Sequence, residues 1–174
     1  MEERKENAIW EFVKVVVISV AIVLPIRTYI AQPFIVSGAS MEPNFHDGEY
    51  LIIDELTYAF QQPKRGEVIV FRYPLKPSEF FIKRIIGLPN ETVEISNGKI
   101  LINNSELAES YFSEVVGTSQ NINIKMILAK NEYFVLGDNR PHSSDSRFWG
   151  ALPKEKIMGR VLLRLWPVAK AGIL

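Results

Sequence analysis

Residues 80–86 read F-F-I-K-R-I-I, and the run closes at once in G-L-P-N at 87–90. Aromatic and β-branched side chains bounded by turn formers predict a β-strand. Strand alternation assigns Phe81, Lys83 and Ile85 to one face and Ile82, Arg84 and Ile86 to the other. Both faces are otherwise apolar, so at least one of the two cations is partly desolvated. Arginine stays charged in such a place, whereas lysine can give up its proton. Burial disfavours the ammonium form, and a shift of about two to three pKa units would make Lys83 a general base near neutral pH. The same pattern also fits a surface edge strand whose charges discourage aggregation.

The segments on either side repeat the strand signature. E-Y-L-I-I-D at 49–54, E-V-I-V-F-R at 67–72, N-E-Y-F-V-L at 131–136 and residues 157–165 all read as strands between turns. Residues 56–62 read as a loop or a short helix. Asn97-Gly98, between residues 91–96 and 99–103, is a two-residue hairpin signal. Residues 105–130 are more polar and poorly patterned. The fold class is therefore mainly β, an antiparallel sheet with hairpins. The expected organisation is a tail and anchor over 1–33, a core over 34–91 and 131–174, and an inserted cap of smaller β and loop elements over 92–130.

The totals bound the function. Lys+Arg and Asp+Glu both number 20 in 174 residues, so no overall field draws the chain to nucleic acid. Cysteine is absent, which excludes disulfides, thiolate zinc sites and a cysteine nucleophile. His46 and His142 are too few for a convincing metal cluster, and no metal or cofactor is expected.

Residues 8–36 begin A-I-W-E-F-V-K-V-V-V-I-S-V-A-I-V-L-P-I-R, and the apolar run resumes at Phe34–Val36. The charge-free stretch 15–26 is shorter than the roughly 20 residues that a crossing helix needs. Glu11, Lys14 and Arg27 lie near the ends, where long cations reach the headgroups, and Trp10 and Tyr29 fall at the borders. A cleaved signal peptide would need a small-x-small exit, which Tyr29 and Ala31 do not supply. A buried core helix would bury the charges awkwardly. The preferred reading is an uncleaved single transmembrane helix over about residues 9–30. Arg4, Lys5 and Lys14 precede it, which puts the N-terminus in the cytoplasm and the body on the extracytoplasmic face.

Two further stretches carry chemistry. V-S-G-A-S-M-E-P-N-F at 36–45 packs small residues into a corner locked by Met41 and Pro43. Such a corner is either a plain turn or the seat of a serine nucleophile beside free backbone N–H groups. Paired with Lys83, Ser40 makes a Ser–Lys nucleophile and base, a scheme that needs no histidine. G-D-N-R-P-H-S-S-D-S-R-F-W-G at 137–150 is rich in turn formers. Its Asp145 and Arg147 can brace each other, and one of its serines can hold the lysine. Spacing does not choose which.

Together these blocks resemble the bacterial type I signal peptidase family. The match runs in order: an N-terminal anchor, S-G-A-S-M-E-P at 37–43, R-G-E-V-I-V-F at 65–71, K-R-I-I-G-L-P at 83–89, the 137–150 block, and I-M-G-R-V at 157–161. The resemblance covers nearly everything outside 92–130, and the single anchor is similar to the shorter Gram-positive members. It implies Ser40 as nucleophile, Lys83 as general base, Ser143 as the hydroxyl orienting the lysine, and Asp145 with Arg147 as the supporting pair. Phe34, Val36, Met41, Phe81 and Ile82 match positions lining shallow apolar substrate pockets. The implied partners are secretory preproteins, cut after small residues at −3 and −1, and membrane lipid. For the oxyanion hole, the resemblance points to the backbone of Ser40 and Gly38, since Gly38 stands where some members carry a helping serine.

Three rival readings share parts of this pattern. Self-cleaving repressor-type Ser–Lys peptidases carry a DNA-binding domain, and no basic region is present here. Eukaryotic and archaeal signal peptidases use histidine where this chain has Lys83. An anchored, non-catalytic binding protein of the same fold is disfavoured by the intact Ser40 and Lys83.

Overall fold

The computed structural model describes residues 2–25, 32–109, 111 and 122–174, with the side chains of the N-terminal helix described over 9–21. That helix, α1 (Glu2–Pro25), presents Ile9, Trp10, Phe12 and Val15–Ile18 outward, each at least 42% exposed. Among the described residues no helix is long and apolar enough to cross a membrane. The span expected over 9–30 extends beyond the described residues, and the part within them does not confirm it. Glu11 and Lys14 pair within α1 at 2.8 Å and interrupt its apolar run, and Arg27, Tyr29 and Ala31 lie outside the described residues.

The body is two antiparallel sheets. The larger contains β1 (Gln32–Ile35), β2 (Tyr50–Asp54), β3 (Val68–Arg72), β4 (Phe80–Gly87), β9 (Glu132–Leu136), β10 (Leu152–Pro153) and β11 (Ile157–Trp166), in the order β1-β2-β11-β3-β4-β9-β10. A short β12 (Gly172–Ile173) also pairs with β11. The smaller sheet runs β7-β6-β5-β8, from β5 (Thr92–Ser96), β6 (Lys99–Ile102), β7 (Ser105–Glu106) and β8 (Ile124–Ile127). Its β5–β6 hairpin turns on Asn97 and Gly98, both at positive φ, as the Asn-Gly signal requires. Short helices α2 (Thr57–Phe60) and α3 (Ser146–Trp149), with 3-10 turns at Arg140–His142, Lys154–Lys156 and Val168–Lys170, complete the regular structure of the described residues.

Burial follows strand alternation. On β3, Val68 and Val70 face a core of Val36, Met41, Phe45, Leu51, Ile53 and Val161, while Ile69 and Phe71 face Ile85, Tyr133, Val135 and Leu152. Both faces are covered, so V-I-V-F is a continuous apolar run rather than an alternating one. A third core joins the large sheet to the small one through Ile86, Phe134 and Leu136 against Val93, Ile95, Ile100 and Ile102.

Two register relations position the chemistry. Arg84 pairs with Leu136, and β9 pairs with β4 only over Arg84–Gly87, so the loop after Leu136 begins beside Lys83. Strand β11 lies between β2 and β3, and its register with β3 slips between Ile157 and Gly159. Gly159 is pressed against the neighbouring backbone. A Cβ there would collide with the Asp54 carbonyl oxygen and lie 2.8 Å from Ile53 Cγ2. Gly172, by contrast, has open space around it. We expect Gly159→Ala to destabilise the fold by about 2 kcal/mol through overpacking, with Gly172→Ala close to neutral. Thermal unfolding of the two variants checks this, and equal Tm values would refute it.

Candidate active site

Ser40 sits in the loop between β1 and β2, and backbone bonds at the loop's neck hold it closed. Val36 N–H donates to the Glu49 carbonyl, and Gly48 N–H donates to the Val36 carbonyl, each at 2.9 Å. The loop exit is anchored by Met41, which is fully buried with Val36, Phe45 and Leu51. Lys83 projects from β4, where its cross-strand partner is Ile69. The two side chains meet: Lys83 Nζ lies 2.7 Å from Ser40 Oγ and 2.8 Å from the Ile82 carbonyl.

Lys83 is only 3% exposed, and its Nζ stands 5.2 Å from the centre of the Phe81 ring. Burial lowers its pKa from 10.5 to about 8, against the opposing pull of the Asp145 and Asp138 carboxylates. A substantial fraction of the amine is therefore neutral at mildly alkaline pH. In that form it can accept a proton from the hydroxyl it touches.

The 137–150 loop clasps both partners. Asn139 N–H donates to the Ser40 carbonyl, and its side-chain amide donates to the Ala39 carbonyl, each at 3.0 Å. Asp145 and Arg147 form a buried two-point pair, with Nε to Oδ1 at 2.7 Å and Nη2 to Oδ2 at 2.9 Å. Asp145 also accepts from Gly137 N–H at 3.1 Å, and Arg147 donates to the Arg140 carbonyl at 2.6 Å. The pair ties the two ends of the loop together. Gly137 has no room for a side chain, since a Cβ would strike the Ser143 hydroxyl and the Ser40 carbonyl.

Not every candidate falls where the sequence reading put it. Ser143 is buried beside Gly137, but its hydroxyl has no hydrogen-bond partner and makes none with Lys83. The Gly38 N–H is already committed to Asp47 Oδ1 at 2.7 Å, so it is not a free oxyanion donor. The Ser40 N–H has no protein partner among the described residues. Met41 does not line the cleft, because the tight turn directs it into the core instead.

A cleft of about 380 Å³ runs beside Ser40 and Lys83 and contains Phe34, Val36, Phe81 and Ile82. Leu51, Val70 and Phe80 line it as well. Strand alternation with Ile82 was the available signal for Phe80; Val70 lies within the 65–71 block but nothing local aimed it at the cleft, and no signal existed for Leu51. The residue behind the site that the reading missed is Asp138. It holds Arg84 through two bonds, 2.9 Å from Nε and 2.6 Å from Nη2. His46 and His142 lie at the surface, 3.6 Å from Glu42 and 3.2 Å from Asn139 respectively, as loop residues.

Comparisons with known proteins agree with one another. The family model described as signal peptidase, peptidase S26 matches residues 9–166. A probable signal peptidase I-2 of Synechocystis is 38% identical over 178 residues, covering 99% of this chain and 80% of its own length. A signal peptidase I of Bacillus licheniformis is 33% identical over 163 residues, covering 89% of this chain and 87% of its own. The crystal structure of a signal peptidase I from Enterococcus faecalis superposes with a TM-score of 0.50 at 32% identity, over 58% of this chain and 97% of that one. With a model match over most of its length and relatives at this identity, the chain belongs to the signal peptidase family, peptidase S26.

Proposed function

We infer that this protein is a membrane-anchored serine endopeptidase that removes N-terminal signal peptides from secretory preproteins. The observation that carries the reading is the 2.7 Å contact between Ser40 Oγ and a buried Lys83 whose pKa is lowered to about 8. Neutral Lys83 takes the hydroxyl proton as Ser40 Oγ attacks the scissile carbonyl, and the resulting ammonium protonates the departing amine. The acyl-enzyme is then hydrolysed by a water that Lys83 deprotonates, which frees Ser40. No histidine or metal is needed.

The other roles follow from position. Ser40 N–H, without a protein partner, is one oxyanion donor. A preorganised donor of this kind contributes about 3–4 kcal/mol to lowering the barrier. The buried Ser143 hydroxyl, which makes no bond to Lys83 in this structure, would orient the lysine by turning to it, and that bond would relieve the roughly 1–3 kcal/mol cost of an unsatisfied buried hydroxyl. Asp145 and Arg147 hold the loop that carries it. Phe34, Val36, Phe81 and Ile82 form an apolar cleft suited to small side chains at −3 and −1 of an extended substrate.

Membrane attachment is the natural use of α1, whose outward apolar side chains have no cover in the body. Its N-terminal charges favour a cytoplasmic N-terminus and an extracytoplasmic catalytic body. On this reading the protein remains in the membrane pellet after alkaline carbonate extraction. Release into the supernatant would refute the anchor without touching the chemistry.

Detergent-solubilised protein should cleave a preprotein at its signal-peptide junction. Ser40→Ala and Lys83→Ala should each lower kcat/KM by at least about a thousandfold, and unchanged cleavage in either sinks the assignment of the pair. Because only neutral Lys83 acts as base, kcat/KM should rise about tenfold per pH unit below the lysine's pKa and level off above about 8. A profile that falls across that range is inconsistent with it. Gly137→Ala displaces Ser143 and Ser40 together, and we expect about a hundredfold loss of kcat with the fold retained, measured by steady-state kinetics alongside circular dichroism.

A further inference from the structure

Two residues of the inserted region close the network behind the catalytic pair. Arg140, three residues past Gly137, has a fully buried side chain. Its Nε donates to the Gly137 carbonyl at 2.9 Å. Its Nη1 donates to Glu109 Oε2 at 3.2 Å, and its Nη2 donates to Glu109 Oε1. Glu109 also accepts from the Tyr111 hydroxyl at 3.1 Å. The Arg84 guanidinium lies over the Tyr111 ring, 4.2 Å from its centre. The Tyr111 carbonyl accepts from Asn44 Nδ2 at 3.0 Å, and the same amide donates to Asp138 Oδ2 at 2.8 Å.

Glu109 and Tyr111 thereby touch one residue on each of the three segments that build the site. Asn44 is four residues past Ser40, Arg84 adjoins Lys83, and Arg140 belongs to the loop of Ser143 and Asp145. Neither bonds Ser40 or Lys83 directly. The physical leverage comes from charge. Glu109 meets the fully buried Arg140 guanidinium at two points, and breaking a buried pair of this kind is strongly unfavourable, so the surroundings move to compensate. Here the group that would move is the 137–150 loop, whose Gly137 is already in contact with Ser143 and Ser40.

We propose that Glu109 and Tyr111 are positioning residues for the catalytic pair, so that the inserted region is a third support of the active site and not an independent cap. The proposal rests on the peptidase reading above. It makes activity depend on how the inserted region is seated, through Asn44, Arg84 and Arg140.

The test uses the full chain in detergent with a preprotein substrate, measuring kcat, KM, the pH profile and Tm. Glu109→Gln and Tyr111→Ala should each lower kcat about tenfold or more while KM changes less than about threefold. The rising, acidic limb of the profile should move to higher pH, as Lys83 becomes better solvated. Tyr111→Phe keeps the ring and carbonyl and should recover kcat to within about threefold of the parent chain. Glu106→Gln removes an exposed carboxylate of the same region, paired only with surface Lys99, and should change nothing. Unchanged kcat and pH profile in both Glu109→Gln and Tyr111→Ala overturns the proposal. So does a loss of kcat matched by the fraction unfolded. If the parent chain cleaves no preprotein, the peptidase reading itself fails. If it does and Ser40→Ala is inactive, parent-like kinetics in both Glu109→Gln and Tyr111→Ala bring down the positioning role alone.

Discussion

Lys83 is an amine kept out of water and held against a hydroxyl, and most of the architecture around it serves that condition. Lowering its pKa from 10.5 to about 8 corresponds to roughly 3 kcal/mol of differential interaction between its protonation states. The sign is unfavourable to folding at low pH. Below about pH 8 the lysine is protonated in both folded and unfolded chains, and the folded state bears the whole desolvation cost. As pH rises towards 10.5 the unfolded chain holds more protons, and the cost is relieved. A fold that keeps such a residue must be secured elsewhere, and two apolar cores on the faces of β3 do so.

The sheet brings distant residues together by register. Because Arg84 pairs with Leu136, the 137–150 loop starts where Lys83 ends its contact with β9. Asp145 and Arg147 then fold that loop back, and Asn139 ties it to the backbone of Ala39 and Ser40. Ser40 and Lys83 are thus clamped from main chain as well as side chain. Arg84, immediately after Lys83, is neutralised by Asp138 rather than left to repel the neighbouring ammonium. Adjacent cations in one strand have been given separate environments, one paired with a carboxylate and one buried against a hydroxyl.

Much of this was legible in the sequence because it depends on local pattern. The strands at 68–72, 80–87 and 132–136, the Asn97-Gly98 hairpin and the unusual apolar company of Lys83 all follow from alternation and turn chemistry. Ser40 was singled out by its small-residue corner and by the family resemblance, not by spacing. What was not legible depends on long-range packing. Met41 was expected in the cleft and lies in the core, since one turn of backbone decides which way it points. The Gly38 amide was expected to be free, but Asp47, nine residues on, takes it. The short strands β1, β8 and β12 exist only through their partners, and no local signal announces the Arg140–Glu109 pair. The anchor was read from hydropathy, whereas the described helix carries an ion pair within its apolar run.

The place of β11 in the sheet has a consequence for when the enzyme comes into being. It lies between β2, which follows the Ser40 loop, and β3, which supports the strand of Lys83. Until residues 157–166 have been synthesised and have inserted, those two halves share no hydrogen-bonded strand. A chain emerging N-terminus first therefore presents Ser40 and Lys83 on strands that no common hydrogen-bonded neighbour yet joins. The order of synthesis makes β11 the strand that locks the two together.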